Sequence, residues 1–358
     1  MPTTLSVPKS APPPPPISST SIESSRTSTS INSNTTSSVR DNLTGISSSQ
    51  NTSQSQSVKV QKDGIIYSPF AAEDSVKQCM GKNITRLRQG KEAYPVIVKD
   101  NNAKMQFENI KQQKINQYSS YVERLQTSIQ KNNQKILSNN QINFTSNEKI
   151  QLREQINKNI ENQIIKNQGL LKSNLEILNT YEKLEVYSNQ DSHLLGKLSQ
   201  GKHKLYIVAH GTAGKDTLQA TLSKDSPQIS SNQLAKDLKK GGLKTSFDDV
   251  RSVSCESADT RSITSFNKEE LQKASQPTYN FNFSLGFKTF KSIDRQPFAQ
   301  ELSDALGGLG YKNMKVTGYH GSGRGMPEGV NQLRVLDENI NSESMRRSLV
   351  KQVFTPNT

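Results

Sequence analysis

The chain of 358 residues contains no tryptophan, and only 31% of its residues are hydrophobic. A chain of this length can form two domains, but so little apolar material indicates one compact domain with extended material around it. No run of about 18 apolar residues occurs, and the N-terminus lacks the apolar region of a Sec signal. We therefore expect a soluble chain with no transmembrane segment and no conventional export.

Cysteine is equally scarce. Cys79 and Cys255 are the only two cysteines, they lie far apart, and neither belongs to a CxxC pair. Disulfide frameworks and zinc sites need closer or more numerous cysteines. We expect no disulfide, no metal site and a reducing working compartment.

Acidic residues are outnumbered, with 32 Asp and Glu against 46 Lys and Arg, and the net charge is +14. Such a balance favours anionic partners, which include nucleic acid, an acidic membrane surface and a polyphosphate. The chain has no RNA-binding aromatic motif, zinc spacing or recognisable DNA-reading helix, so we expect no sequence-specific binding to nucleic acid.

Residues 1–58 are rich in Ser, Thr, Asn and Gln and include the run Pro12–Pro16. This composition predicts a disordered arm. The arm is either a solvated tail or an uncleaved secretion signal of the type III kind, which would take a secretion chaperone as partner. Residues 59–104 contain two short β-prone pieces, at 64–67 and 94–98, and their role stays open.

Residues 105–190 have a helical pattern. Apolar residues recur at three-four spacing from Phe107 to Ile129 and again from Leu152 to Leu178, on either side of a polar connection, and Thr145 with Glu148 has the spacing of a capping box. The pattern predicts an antiparallel helical hairpin that acts as a spacer or a partner-binding arm. Its stripes are typical of packing surfaces, because the opposite faces mix both charge signs.

Residues 195–345 alternate strand and helix signals, which predicts an α/β domain with a mostly parallel sheet flanked by helices. The strands are expected at 205–209, 250–254 and 315–319, and the helices at 231–240 and 297–306. Residues 256–295 interrupt this pattern and are predicted to form an inserted hairpin or lid. Residues 346–358 are predicted to form a basic tail.

Two of the predicted strands end in reactive side chains, His210 and Cys255. Parallel neighbours present their carboxyl ends at one edge of a sheet, so these residues can meet there. An imidazole beside a thiol is the arrangement of a cysteine protease. Gly211 lets the chain turn and leaves room for a substrate, and the N–H groups near Gly211 and Cys255 can stabilise an oxyanion.

Other site candidates rank below this pair. His320 closes the third strand as His210 closes the first, so it is a rival base, although the glycine-rich loop after it also suits a turn. Asp216 and Glu256 can orient an imidazole, but a solvated loop carboxylate is the better interpretation of both. Cys79 has no His nearby in sequence and is expected to be inert.

Five segments carry a resemblance in kind and order to the cysteine protease domain of multifunctional-autoprocessing RTX toxins, a clan CD family with relatives among type III effectors of the OspB kind. They lie within a region of about 120 residues and are LYIVAHG (205–211), LAKDL (234–238), VSC (253–255), FAQELSDA (298–305) and VTG (316–318). The resemblance implies a caspase-like fold, a His210–Cys255 dyad, allosteric activation by inositol hexakisphosphate and cleavage after leucine. Ser254 stands where the family usually has glycine, and the insertion after Cys255 is longer than in the toxins.

A polyphosphate activator also fits the basic balance, because each phosphate needs a cationic partner. The candidates lie around and beyond the third strand, where the toxin domains carry a basic flap. They are Lys312, Lys315, Arg324, Arg334, Arg346, Arg347 and Lys351.

Together these features predict a secreted bacterial effector protease that acts in the host cytoplasm and cuts itself or a host protein. An α/β-hydrolase is disfavoured, because the chain has no G-x-S-x-G elbow. The remaining alternative is a non-catalytic basic adaptor that binds a host partner through the helical hairpin.

Overall fold

The computed structural model describes residues 63–285, 288–323, 333–336 and 343–357. The expected disordered arm at 1–58 and the candidate ligand Arg324 lie outside the described residues. The strands in chain order are β1 (Asp63–Ser68), β2 (Val96–Val98), β3 (Val186–Ser188), β4 (His203–Ile207), β5 (Thr217–Gln219), β6 (Gln228–Ser230), β7 (Asp249–Ser252), β8 (Thr278–Leu285), β9 (Lys288–Arg295), β10 (Lys315–Tyr319), β11 (Ser322–Gly323), β12 (Leu333–Val335), β13 (Ser344–Arg346) and β14 (Lys351–Phe354).

The helices are α1 (Glu73–Arg88), α2 (Asn101–Gln141), α3 (Asn147–Glu182), α4 (Asn189–Ser192), α5 (Leu194–Lys197), α6 (Ser231–Lys240), α7 (Lys268–Ala274) and α8 (Phe298–Gly308). Among the described residues, no helix is long and apolar enough to cross a bilayer.

A seven-stranded sheet forms the centre, in the order β14-β10-β7-β4-β1-β2-β3. The strands pair in parallel except for the edge strand β14, which is antiparallel to β10. The predicted α/β class with a mostly parallel sheet flanked by helices is thus confirmed. In the part of the chain that the structure describes, three smaller antiparallel sheets lie outside it, and one of them, β8–β9, belongs to the insertion after Cys255.

Successive side chains of the central strands point to opposite faces of the sheet, so the core has two layers. Leu205 and Ile207 of β4 pack on one face in a cluster with residues of α6 and α8. Tyr206 faces the other side, in a cluster with residues of α1 and with Tyr181 of α3. Helices therefore cover both faces of the sheet. On the face that carries Tyr206, the helical hairpin covers only the part formed by β1, β2 and β3.

The structure differs from the expected domain order. Residues 59–104 supply β1, α1 and β2 of the main sheet, the hairpin is inserted between β2 and β3 instead of preceding the sheet, and the tail supplies β14. The α/β domain thus extends beyond 195–345 at both ends. Sequence patterns missed this because β2 has three residues and β1 pairs with β4, whose partner residues lie 140 positions away.

The order of the strands also locates a crevice. The chain runs outward from β1 to β2 and β3, then crosses to β4 and continues through β7 to β10 on the other side. The carboxyl ends of β1 and β4 therefore flank a topological switch point, which is where open α/β sheets bind ligands. His210 follows β4 at this point.

Candidate active site

The sheet register places the two predicted catalytic residues side by side. Ile207 of β4 pairs with Ser252 of β7. His210 and Cys255 each lie three residues beyond these partners, at the carboxyl ends of adjacent parallel strands. The sequence prediction that both residues reach the same edge of the sheet agrees with this register.

The loops after the two strands are in direct contact. A Cβ at Gly211 would lie 2.7 Å from the Cys255 carbonyl oxygen and 2.9 Å from Ser254 Cβ. Ala213 N–H donates to Glu256 Oε2 (3.2 Å), and Gly214 N–H donates to the Asp259 carbonyl (2.8 Å). Gly211 is thus explained by close packing against the nucleophile loop, and Glu256 joins the loops instead of orienting the imidazole.

His210 is held from two directions. Its backbone forms a β-bridge with Gln219, with hydrogen bonds of 3.0 and 2.9 Å. Its Nε2 lies 3.2 Å from Asp74 Oδ2 and 3.2 Å from the side-chain amide of Gln78, both on α1. A carboxylate only accepts hydrogen bonds, so the Asp74 contact favours the tautomer with the proton on Nε2, whereas the Gln78 contact is made by an amide nitrogen, a donor, and favours the opposite tautomer. In the tautomer that bonds Asp74, Nδ1 keeps a lone pair and can act as a base.

Asp74 is a candidate site residue that the sequence analysis missed. It lies in the first turn of α1, after β1, and so on the other side of the switch point from His210. The rule that led to His210 and Cys255, reactive side chains at strand ends, also covers Asp74 once β1 is assigned to the sheet. Asp216, the loop carboxylate considered earlier, is exposed, and its carbonyl accepts from Ser231 N–H.

Cys255 is partly exposed, and its Sγ accepts a hydrogen bond from Gly323 N–H (3.2 Å). No hydrogen bond joins it to the imidazole in the described part of the chain, so a rearrangement of the side chains must precede proton transfer. Within the same residues, the N–H groups of Gly211 and Cys255 have no protein acceptor, which suits donors to a developing oxyanion. Cys79 is buried on α1, and burial raises the pKa of its thiol, as expected of an inert cysteine.

The turn after Cys255 is fixed by buried polar contacts. Glu256 has a left-handed backbone (φ +49°), a conformation that non-glycine residues seldom adopt. Asp259 accepts from Gly321 N–H (2.8 Å) and contacts His320 Nδ1 (2.5 Å). His320 is buried and paired in this way, and it supports the turn after Cys255. Ser254 is also buried, with its hydroxyl 2.8 Å from that of Ser252, and does not face a substrate.

Arg334 lies behind the nucleophile. Its side chain is fully buried and donates to the carbonyls of Val253 (2.8 Å) and Gly321 (3.3 Å). Burial lowers the pKa of Arg334, while the nearby Cys255 acts in the opposite direction. The prediction that Arg334 binds a polyphosphate at the surface is therefore wrong, because its guanidinium is used by main-chain acceptors inside the protein.

Five cations gather on the face of β4 and β7 that the hairpin leaves uncovered. We call them the basic cluster, and they are Lys82, Arg86, Lys204, Arg251 and Arg347. Lys82 Nζ lies 3.7 Å from the ring centre of Tyr206, Arg86 Cζ lies 3.5 Å from that of Tyr94, and Arg347 Cζ lies 5.2 Å from that of Tyr319. Aromatic faces stabilise cations, and here they hold several at one place.

The members of the basic cluster act on one another. Burial lowers the pKa of Lys82 well below its usual value, and Arg347, Arg251, Arg86 and Lys204 lower it further. Arg251 forms a bidentate contact with Asp249 beside the cluster, at 2.8 and 3.1 Å. Cations forced together in this way favour binding of a ligand with several negative charges.

Of the predicted polyphosphate ligands, Arg347 belongs to the basic cluster. Lys315 pairs with Asp249 and Lys351 with Tyr319, so both lie on the same face of the sheet, while Lys312 and Arg346 are exposed elsewhere. Lys204 and Arg251 reach this face through strand alternation, and Lys82 and Arg86 reach it from α1. None of these four residues lies near the third strand in sequence, where the ligands were predicted.

Comparison of the chain with protein-family models, with curated proteins and with solved structures found no match. The geometry of the described residues is therefore the basis for assigning a function.

Proposed function

We propose that the chain is a cysteine endopeptidase with Cys255 as nucleophile, His210 as general base and Asp74 as the residue that positions the imidazole. The observation that carries this proposal is the convergence of the His210 and Cys255 loops at the switch point, with Asp74 on His210 Nε2. In line with its resemblance to the RTX-toxin protease domains, we propose a caspase-like fold and a secreted bacterial effector that acts in the host cytoplasm.

The chemistry follows from these positions. His210 Nδ1 takes the proton from Cys255 Sγ, and the thiolate attacks the carbonyl carbon of the scissile peptide. The oxyanion is stabilised by the N–H groups of Gly211 and Cys255. The imidazolium then gives its proton to the leaving amine, and water hydrolyses the acyl-enzyme to release acid and free thiol. The substrate is the chain itself or a host protein, cut after leucine as the resemblance implies.

The proposed activator is inositol hexakisphosphate bound at the basic cluster. The ring centre of Tyr319 lies 5.2 Å from Cζ of Arg347 in the cluster and 5.4 Å from Cζ of Arg334. Arg334 in turn bonds the carbonyl of Val253, two residues before Cys255. Three contacts thus connect Arg347 with the nucleophile loop, which supports activation by a ligand that displaces Arg347 and rearranges this loop.

The purified chain, incubated with and without inositol hexakisphosphate, tests the proposal. We expect thiol-dependent cleavage fragments only with the ligand, and none from Cys255→Ala or His210→Ala with unchanged circular dichroism. Cys79→Ala is the matched control and should cleave like the wild type. Cleavage that survives Cys255→Ala would contradict the assignment.

One observation favours a second function, that of a non-catalytic adaptor. Residues 123–163, the outer part of the hairpin, contain no buried side chain and are free to contact a partner. An adaptor predicts that Cys255→Ala changes no cellular phenotype while deletion of residues 105–187 abolishes it. The peptidase predicts that Cys255→Ala alone abolishes it.

A further inference from the structure

The outer end of the hairpin carries an apolar surface that none of the other described elements covers. We call it the tip patch, and it consists of Ile142, Phe144, Leu152 and Ile156. Together with Asn139, Lys149 and Arg153 these residues line a cavity of about 290 Å³. Leu152 is 61% exposed, Ile142 48% and Ile156 43%. An apolar surface with a charged rim, placed at the end of a projecting element, is typical of an interaction site.

The tip patch is not part of the seam between the two helices. At this end of the hairpin the seam is polar, since Asn157 bonds Asn139 (2.9 Å) and Asn140 (2.8 Å). Leu152 and Ile156 are four residues apart on α3 and so share a face, which is turned outward. Polar residues therefore lie inside and apolar residues outside, the reverse of what stability of the hairpin alone would favour.

The charges around the tip patch indicate what covers it. Lys149 and Arg153 line the same cavity as its apolar side chains. Among the described residues, no carboxylate lies within 4.0 Å of the charged atoms of these two cations. Arg153 donates to the carbonyl of Ile142 (3.0 Å) and its Cζ lies 5.9 Å from the ring centre of Phe144, and neither contact neutralises the guanidinium charge.

Exposed apolar side chains with two cations beside them match the boundary of an anionic bilayer. The apolar groups enter the acyl region, and the cations meet the headgroup phosphates. A stable protein partner would need about 800 Å² of surface on each side, more than four side chains provide. We propose that the tip patch docks the protein on membranes that contain anionic phospholipid.

The length of the hairpin sets the distance between the docked membrane and the sheet domain. Residues 123–141 of α2 project beyond the last buried residue of that helix, Val122, and 19 helical residues span about 28 Å. The sheet domain is thereby held at a distance from the bilayer. The inference does not depend on the peptidase proposal, because no residue of the tip patch belongs to the candidate active site.

Co-sedimentation with vesicles tests the inference, with the full chain carrying Cys255→Ala as the parent so that self-cleavage does not interfere. The parent should bind vesicles of phosphatidylcholine mixed with phosphatidylserine and should not bind phosphatidylcholine alone. Lys149→Gln with Arg153→Gln should weaken binding about 25-fold, since each cation near the surface contributes about fivefold. Leu152→Ser with Ile156→Ser should also weaken it, by at least about tenfold.

Matched controls lie on the same helix outside the tip patch. Ile165 and Leu175 are 65% and 42% exposed, and Lys166 and Lys172 are exposed cations. Ile165→Ser with Leu175→Ser, and Lys166→Gln with Lys172→Gln, should leave binding unchanged, and circular dichroism should show the same helix content in every variant. Failure of the parent to bind anionic vesicles, or equal losses in control and tip variants, would overturn the inference.

Discussion

Asp74 Oδ2 lies 3.2 Å from His210 Nε2, although 136 positions separate the two residues in the chain. The contact forms because β1 and β4 are neighbours in the sheet, so that the turn after β1 and the loop after β4 meet. Helix α1 is thereby part of the candidate active site, and it also supplies Lys82 and Arg86 to the basic cluster.

We expect Asp74→Ala to slow cleavage by about 10- to 100-fold, a part of what a general base contributes. Without the carboxylate, Nε2 loses its acceptor and the imidazole no longer has a fixed orientation. The rate of Cys255 alkylation by iodoacetamide as a function of pH distinguishes this role from a structural one, because the variant should lose alkylation at low pH. Glu73→Ala is the control, since Glu73 contacts Lys77 and Lys114 and not the imidazole.

Gly211→Ala should inactivate the protein and lower its free energy of unfolding by about 1–3 kcal/mol. The added Cβ would lie 2.7 Å from the Cys255 carbonyl oxygen, so the two loops would have to move apart. Urea unfolding and a cleavage assay measure both effects. Gly169→Ala in α3, where a Cβ meets nothing within 4 Å, should leave cleavage unchanged and stabilise the helix by about 0.5–1 kcal/mol. Wild-type activity in Gly211→Ala would show that the loop contact is dispensable.

Helix α6 and strand β10, whose sequence patterns lie within a few residues, were predicted with the correct bounds. Helix α6 begins at Ser231 and ends at Lys240 as expected, because Ser230 caps it by accepting from Gln233 N–H. Strand β10 matches the predicted 315–319. The hairpin differs at its ends: α2 begins at Asn101 under a cap from Asp100, and α3 begins at Asn147 and not at Thr145.

The features that could not be predicted depend on contacts between residues far apart in the chain. Strands β1 and β4 are neighbours in the sheet, but β2, the hairpin and β3 separate them in the chain. The contact between Asp74 and His210 therefore could not be predicted from local sequence patterns. Arg334 was indistinguishable from a surface cation by sequence, and only the fold places it on buried carbonyls. His210 and Cys255 were accessible to sequence reasoning because a single rule about strand ends applies to both.

Lys82→Met should have opposite effects without and with ligand. Burial and the neighbouring cations lower the pKa of Lys82, so the charged form opposes folding, and its replacement should raise the free energy of unfolding by about 1–4 kcal/mol. The same change should reduce the stabilisation by inositol hexakisphosphate, because a charge-assisted contact is lost. Thermal unfolding with and without the ligand measures both. Lys312→Met, at an exposed cation outside the basic cluster, should change neither, and an unaltered ligand response in Lys82→Met would exclude the cluster as the binding site.

Acid should loosen the insertion next to the nucleophile through Glu270. Arg261 forms a bidentate contact with Glu270 (2.7 and 2.8 Å) and Thr264 N–H adds a third bond, which lowers the pKa of Glu270 to about 2. A lowered carboxyl pKa contributes stability that is complete above the unfolded value of 4.5 and disappears as the pH falls through about 2. Since Arg261 is half-exposed, the contribution is about 1 kcal/mol.

Urea unfolding of Glu270→Gln across this range tests the pH dependence. The wild type should be more stable than the variant by a constant amount above pH 5, and the two should converge near pH 2. The neighbouring Glu269→Gln is the control and should follow the wild type. A difference between wild type and Glu270→Gln that persists at pH 2 would show that the carboxylate does not act through its charge.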